Sequence, residues 1–271
     1  MVSFITKGYT QYKTELTVSL NEYTNELDIR QEFMYYNNSN YNLGVIYFND
    51  WANAYSDKNT GLAKRFAQEF KKSLHLAKPE ERGTTTIVSV VDDSYNGLEW
   101  SRTEGKDILK VTLDNILLPK TSRKIFITYK VKLPPNKFTP YGYNQRGGYY
   151  LKDWYLTPAV YDGKWHLYSN KNLEDLYTNV TNTVINFKFP DSLYIASNFD
   201  LSSLSQYPNG QFAQLKGNLQ RGGEIILNPQ DEFITHVTPH MKFLTNIKAP
   251  RYSPIGQGLS INKVADFIYD N

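Results

Sequence analysis

Cysteine is absent from the 271 residues of this chain, which excludes disulfides, zinc–thiolate sites and thiol nucleophiles together. Histidine is nearly as scarce, with four residues, so imidazole chemistry has few positions to draw on. No run reaches the ~20 apolar residues that a membrane helix needs, and the opening "MVSFITKGYTQYK" has no long apolar core of a secretory leader. A membrane span is not expected, and the chain reads as soluble, in mature or trimmed form. A large charge of one sign is lacking too. The formal net charge is +3, from basic residues scattered along the chain, so nucleic acid is not an expected partner.

What is abundant is aromatic: 22 Tyr, 14 Phe and 4 Trp, a composition that suits strands carrying aromatic cross-strand pairs. The length suffices for a substantial core in one large domain or two ordinary ones. Alternation of apolar and polar residues predicts strands in "TELTVSL" (14–20), "NELDIRQEFMYY" (25–36), "LGVIYFND", "TTTIVSVVD" (84–92), "DILKVTL" (107–113), "RKIFITYKVKL" (123–133), "YYLKDWYL", "NTVINFKF" (182–189), "FAQLKG" and "GEIIL". Turn signals such as "NEYT", "DGK", "PNG" and "RGG" separate them. The expected fold is mainly β, a sandwich or saddle of antiparallel sheets.

One helix interrupts the strands. Leu62, Phe66, Phe70 and Leu74 recur every four residues, with Ala63 and Ala67 widening the stripe. Thr60 is placed to cap its start, and Pro79 ends any continuation. The loop feeding it, "FNDW", is expected to be anchored by Trp51. Near the other end of the chain, "APRYSPIGQG" (249–258) reads as a linker. "LSINKVADFIYDN" then predicts a terminal amphipathic helix, capped by Ser260, with Ile261, Val264, Ala265 and Ile268 on one face.

Candidate chemistry is thin. His236 and His240 in "HVTPH" have an i, i+4 spacing, but Pro239 bars an ordinary helix interior and no Glu follows the first His, so no metal site is assigned. His75 is expected at the end of the helix, where the dipole favours a cation, and His166 among aromatics is expected to be packed or exposed. Asp92–Asp93 and Glu80–Glu81 read as solvated turn carboxylates. No Gly-x-Ser-x-Gly elbow occurs, and the glycines of "GYNQRGG" fit turns rather than a phosphate loop. Tyr141 to Asn170, "YGYNQRGGYYLKDWYLTPAVYDGKWHLYSN", is the best candidate for recognition. Its aromatics are suited either to line a sugar or peptide groove or to pack across strands. No catalytic residue is assigned in the chain.

Taken in order, "FNDWANAYSDKNTGLAKRFAQEF", "HLAKPEERGTTTI", "LEWSR", "ITYKVKLPPNKFTPYGYNQRGGYYLKDWYLTPAVYD" and "LYSNKNLEDLYTN" resemble the N-terminal β-domain of a bacterial branch of the aminopeptidase N family, the gluzincin zinc metallopeptidases. The resemblance covers about the first 245 residues and implies a saddle-shaped, mostly antiparallel β-domain over residues 1–247. Residues 248–271 would be a linker and the first helix of a catalytic domain that lies beyond this sequence. It further implies that the partners are that catalytic domain and peptide substrate, that zinc is held there and no cofactor is held here, and that the location is the cell envelope, periplasmic or secreted. The family's His-Glu-x-x-His and Gly-x-Met-x-Asn motifs do not occur in this chain. "YLKDWYLTPAVYDG" offers no matching Gln or Glu to grip a substrate amine, so no substrate-binding residue is carried over. The competing expectation is a stand-alone secreted β-sandwich that binds carbohydrate or protein through the Tyr141 to Asn170 aromatics.

Overall fold

The computed structural model describes residues 12–172, 176–230, 233–237 and 242–245. The chain opens with β1 (Tyr12–Asn21), β2 (Glu26–Tyr36) and β3 (Leu43–Asn49), then a 3-10 turn over Trp51–Tyr55 and helix α1 (Gly61–Gln68). Next come β4 (Thr84–Val91), β5 (Trp100–Arg102), β6 (Ile108–Leu117) and β7 (Ser122–Lys132). The aromatic stretch forms only short strands: β8 (Gly142–Tyr143), β9 (Tyr149–Lys152), β10 (Thr157–Pro158), β11 (Val160–Tyr161) and β12 (Trp165–His166). The series continues through β13 (Thr181–Phe189), β14 (Tyr194–Ser197), β15 (Asp200–Tyr207), β16 (Gly210–Gln220) and β17 (Glu224–Asn228) to a hairpin of β18 (Ile234–Val237) and β19 (Lys242–Thr245).

The mainly β expectation holds. A seven-stranded sheet runs in the order β15-β16-β13-β1-β2-β7-β4, beside two four-stranded sheets, β10-β3-β6-β5 and β14-β17-β9-β8. The large sheet is not purely antiparallel, because β13 lies parallel to β1, Tyr12 opposite Thr181 and Ser19 opposite Lys188. A parallel pair needs a long crossover, which here is everything between β1 and β13, so α1 and the whole β10-β3-β6-β5 sheet lie within one connection, whereas β14 and β17 follow β13.

Alternation in β2 puts Leu27, Ile29, Gln31, Phe33 and Tyr35 on the buried face, and the same face carries Leu16 and Val18 of β1 and Ile125, Ile127 and Tyr129 of β7. The smaller sheets contribute Ile46, Phe48, Leu109, Leu151, Ile225 and Leu227 to the same core. Phe33 and Phe48 meet edge to face at 5.7 Å across two sheets. Gln31 is a polar residue inside this core, and it is fully engaged. Its amide donates to Thr14 Oγ1 at 3.0 Å and to the Leu156 carbonyl at 2.8 Å, while its oxygen accepts from the Tyr129 hydroxyl. These bonds satisfy a buried amide and tie the segment after β9 down onto the large sheet.

The helix is shorter than the stripe that predicts it. Thr60 caps it, accepting from the Ala63 amide, and Leu62 and Phe66 are buried. After Gln68 the chain turns into a Schellman closure, with the Lys71 amide bonded to the Phe66 carbonyl at 2.8 Å and the Phe70 amide to the Ala67 carbonyl at 3.1 Å. Phe70 occupies the left-handed position, φ 59°, and points to solvent at 91 % exposure. It therefore leaves the stripe, whereas Leu74 returns to the core through the following turn. His75 lies beyond the helix rather than at its end, exposed, with its carbonyl near Arg82; the early closure removes the dipole role expected of it.

Asp92 also departs from expectation. It is buried, not solvated, because its carboxylate accepts from the amides of Ser94 and Asn96 and organises the turn after β4. These bonds hold its pKa below the ordinary carboxylate value although burial opposes them. Glu81 caps the Lys78 amide and pairs with Lys137. The linker 249–258, the helix expected over 260–271, the boundary between residues 247 and 248, and His240 lie outside the described residues; His236 sits in β18 opposite Phe243. No helix among the described residues is long and apolar enough to cross a membrane.

Candidate functional site

The Asn-Asp-Trp loop and the aromatic stretch come together around one cavity of about 450 Å3, walled by Trp51, Tyr55, Tyr141, Tyr150, Asp153 and Asn170 among others. Sequence reading treated the two stretches separately; the fold makes them opposite walls of one cup.

The Asn-Asp-Trp wall stands on a buried polar network. The Asp50 carboxylate accepts from Thr85 Oγ1 at 2.7 Å and pairs with Arg102 at 2.6 Å. Arg102 also donates to the carbonyls of Lys106 and Thr85, both at 2.9 Å. Asn53 bridges the same elements, donating to the Lys106 carbonyl and accepting from the Thr85 amide. Asp50 is 2 % exposed, and its charge is tolerable there because Thr85 donates to one carboxylate oxygen and the Arg102 guanidinium to the other. The network joins the edge strand β4 to β5 and to the loop after β3, which places Trp51 and Tyr55 rigidly.

The opposite wall is clamped by Asp107. Its carboxylate accepts from Ser169 Oγ and from the Asn170 amide, each at 2.8 Å, and Trp51 Nε1 donates to the Tyr168 carbonyl at 2.8 Å. Trp51 thus anchors its loop as the sequence predicts. Burial pushes the Asp107 carboxyl up to about 6, the two hydrogen bonds opposing the shift.

Tyr55 and Tyr141, both lining the cup, lie with ring centroids 5.2 Å apart and planes tilted by 33°. The Tyr55 hydroxyl and Thr139 Oγ1 share a 2.6 Å hydrogen bond, and burial raises the Tyr55 pKa to about 12. The Tyr141 hydroxyl is buried without a hydrogen-bond partner among the described residues. Gly142 allows this placement: its φ of 113° and a would-be Cβ 1.9 Å from the Pro134 carbonyl oxygen exclude any other residue. Gly142 lies in β8 opposite Tyr150 rather than in a turn; the turn between β8 and β9 takes Gly147, φ 81°.

Most other aromatics of the Tyr141–Asn170 stretch are spent on packing. Tyr149, Trp154 and Tyr155 are buried, Trp154 lies edge to face on Phe187 at 6.2 Å, and Trp165 packs against Tyr47 and Tyr161. His166 is neither core nor ligand. It pairs with Asp162 at 2.8 Å and stands among Tyr168 and Tyr177.

The cup offers aromatic faces, a hydroxyl, amides and one wall carboxylate, a set suited to binding. Among the described residues no group of three or more His, Cys, Asp or Glu is placed to hold a metal ion. The residues that sequence reading did not single out are Asp50, Arg102, Asp107 and Asn53. Asp50 and Asn53 belong to "FNDWANAY" and Arg102 ends "LEWSR", but each is separated from its partners by many positions, so no stretch by itself shows the pairing.

No family model matches the chain, and no curated protein matches it. Solved structures do. One is an M1 zinc metallopeptidase mutant from Deinococcus radiodurans bound to a Tyr-Ser-Ala substrate, with TM-score 0.51 and 11 % identity, covering 91 % of this chain and 50 % of that one. Another is a two-domain M1 zinc metallopeptidase mutant bound to L-tryptophan, with TM-score 0.52 and 11 % identity, covering 96 % of this chain and 52 % of that one. The fold is that of the aminopeptidase N-terminal β-domain. The resemblance read from "FNDWANAYSDKNTGLAKRF" and "YLTPAVYD" is thus met at the level of fold. The chain spans about half the length of the structures it matches, and its cup is lined by Trp51 and Tyr55 of the first stretch but by no residue of "YLTPAVYD".

Proposed function

We propose that the chain is the non-catalytic N-terminal domain of an aminopeptidase-like zinc metallopeptidase, covering one side of a catalytic cleft and supporting the domain that holds the zinc. The carrying observation is a match over 91–96 % of this chain to about half of a two-domain metallopeptidase. The cup fits the same reading. The loops that carry its walls are held by buried networks, as a surface lining a peptide cleft requires.

On this reading the zinc, its activated water and the general base all belong to the other domain. The β-domain contributes shape: aromatic walls that limit access to free peptide N-termini, and a large surface for the neighbouring domain. The test is an assay of the purified 271-residue chain with aminoacyl chromogenic substrates and added zinc. Expected are no hydrolysis and no stoichiometric zinc after dialysis; measurable aminopeptidase turnover by this chain would overturn the proposal.

A further inference from the structure

Beyond α1 the chain displays a second surface, unconnected to the cup. Phe70 is 91 % exposed and Leu76 72 % exposed, both on the turn-rich segment that links α1 to β4. Phe70 bears two penalties at once. A left-handed φ of 59° suits glycine, not an aromatic residue, and a solvated ring forgoes its burial. A bulky residue held in this way points to a role for the exposed ring.

The ground beneath is rigid. Leu74 is wholly buried, the Leu76 amide bonds to the Lys72 carbonyl at 2.9 Å, and Arg82 donates to the Ala77 carbonyl at 3.1 Å. Around the two apolar tips, residues 64–78 carry Lys64, Arg65, Lys71, Lys72 and Lys78 against the single carboxylate of Glu69. Five positive charges against one negative leave +4 on this segment, more than the formal +3 of the whole chain. Within the segment Glu69 pairs with Arg65 at 2.8 Å and with Lys71 at 2.9 Å, Lys72 and Lys78 follow in the sequence, and downstream Glu80 is followed by Glu81, which Lys137 takes up.

Exposed apolar side chains with lysines close by in the sequence fit an anionic lipid surface. The rings and branched tips enter the headgroup boundary while the ammonium groups meet lipid phosphates. We infer that the segment from Phe70 to Lys78 is a peripheral docking site for anionic bilayers, with Phe70 and Leu76 as inserting residues and Lys71, Lys72 and Lys78 as the electrostatic contact.

The test is flotation of the full chain with vesicles of phosphatidylglycerol and phosphatidylcholine, against pure phosphatidylcholine, at low and high salt. Expected is binding to the anionic vesicles alone, weakened by salt. Phe70→Gly should bind roughly ten-fold more weakly for loss of the inserting ring. The K71E/K72E double variant should bind roughly 30-fold more weakly, from two lysines lost at the surface. Phe70→Gly suits the left-handed position, so an unchanged or raised melting temperature separates lost binding from lost folding. Absence of binding to anionic vesicles, equal binding to neutral ones, or undiminished binding by Phe70→Gly overturns the inference.

Discussion

Leu62 and Phe66 share one four-residue periodicity with Phe70, yet the first pair is 0 % and 2 % exposed and the third residue 91 %. The two halves of the stripe part where the helix ends. Under the first, the 3-10 turn over Trp51–Tyr55 gives the helix face something to pack on. At Phe70 the Schellman closure turns the chain out of the helix, and the stripe regains the core only at Leu74. A periodic apolar face is thus a request for burial, and the course of the backbone decides which residues are granted it.

Breaking the packed half should have the largest effect. Phe66→Ala is expected to cost about 3–5 kcal/mol, because the ring is buried and its loss leaves a cavity; denaturant unfolding measures it, and a near-neutral value would show that the helix does not plug the core.

Attacking the buried Asp50 network comes next. Arg102→Ala leaves the buried Asp50 carboxylate with Thr85 as its only named side-chain donor, at an expected cost of about 3 kcal/mol. The same unfolding experiment reads it, and Trp51 fluorescence should shift as the loop loosens.

Asp107 sharpens the comparison through pH. Its folded carboxyl takes up a proton near 6, whereas an unfolded aspartate does so near 4, so between those values protons favour the folded state. Acidification from about pH 7 to about pH 5 should therefore stabilise the native protein by about 1 kcal/mol relative to Asp107→Asn. That variant can keep both bonds, accepting from the Asn170 amide and donating to the rotatable Ser169 hydroxyl. Identical pH profiles for the two proteins would remove burial as the cause of the raised pKa.

The smallest effect belongs to the displayed half and has the opposite sign. Phe70→Gly should stabilise the fold by about 1 kcal/mol, the cost of a left-handed non-glycine residue. Thermal unfolding should show a rise of about 2–4 °C for a domain of this size. A loss of stability would mean that the exposed ring makes contacts that hold the native state.

Much of the fold was legible because strand signals are local. The alternations of "TELTVSL" and "NELDIRQEFMYY" recur as β1 and β2, and the Thr60 cap and the Gly147 turn sit where their chemistry asks. The cup was not legible as one site. Trp51 and Tyr141 lie 90 positions apart in the numbering, and a polar network such as Asp50–Arg102 leaves no periodicity to read. His75 and Phe70 were misplaced by one cause: period alone does not say where a helix stops, and a left-handed closure at Phe rather than Gly carries no composition signal.

By itself the sequence determined which residues are strand formers, which turns need glycine or asparagine, and that no thiol chemistry is available, since these depend on local sterics and on atoms present or absent. Only the tertiary structure decided that β13 runs parallel to β1, that Asp107 is buried enough to hold its proton near pH 6, and that one aromatic of an even stripe faces water. Those outcomes depend on which surfaces meet across long loops, and desolvation and packing act only once they have met.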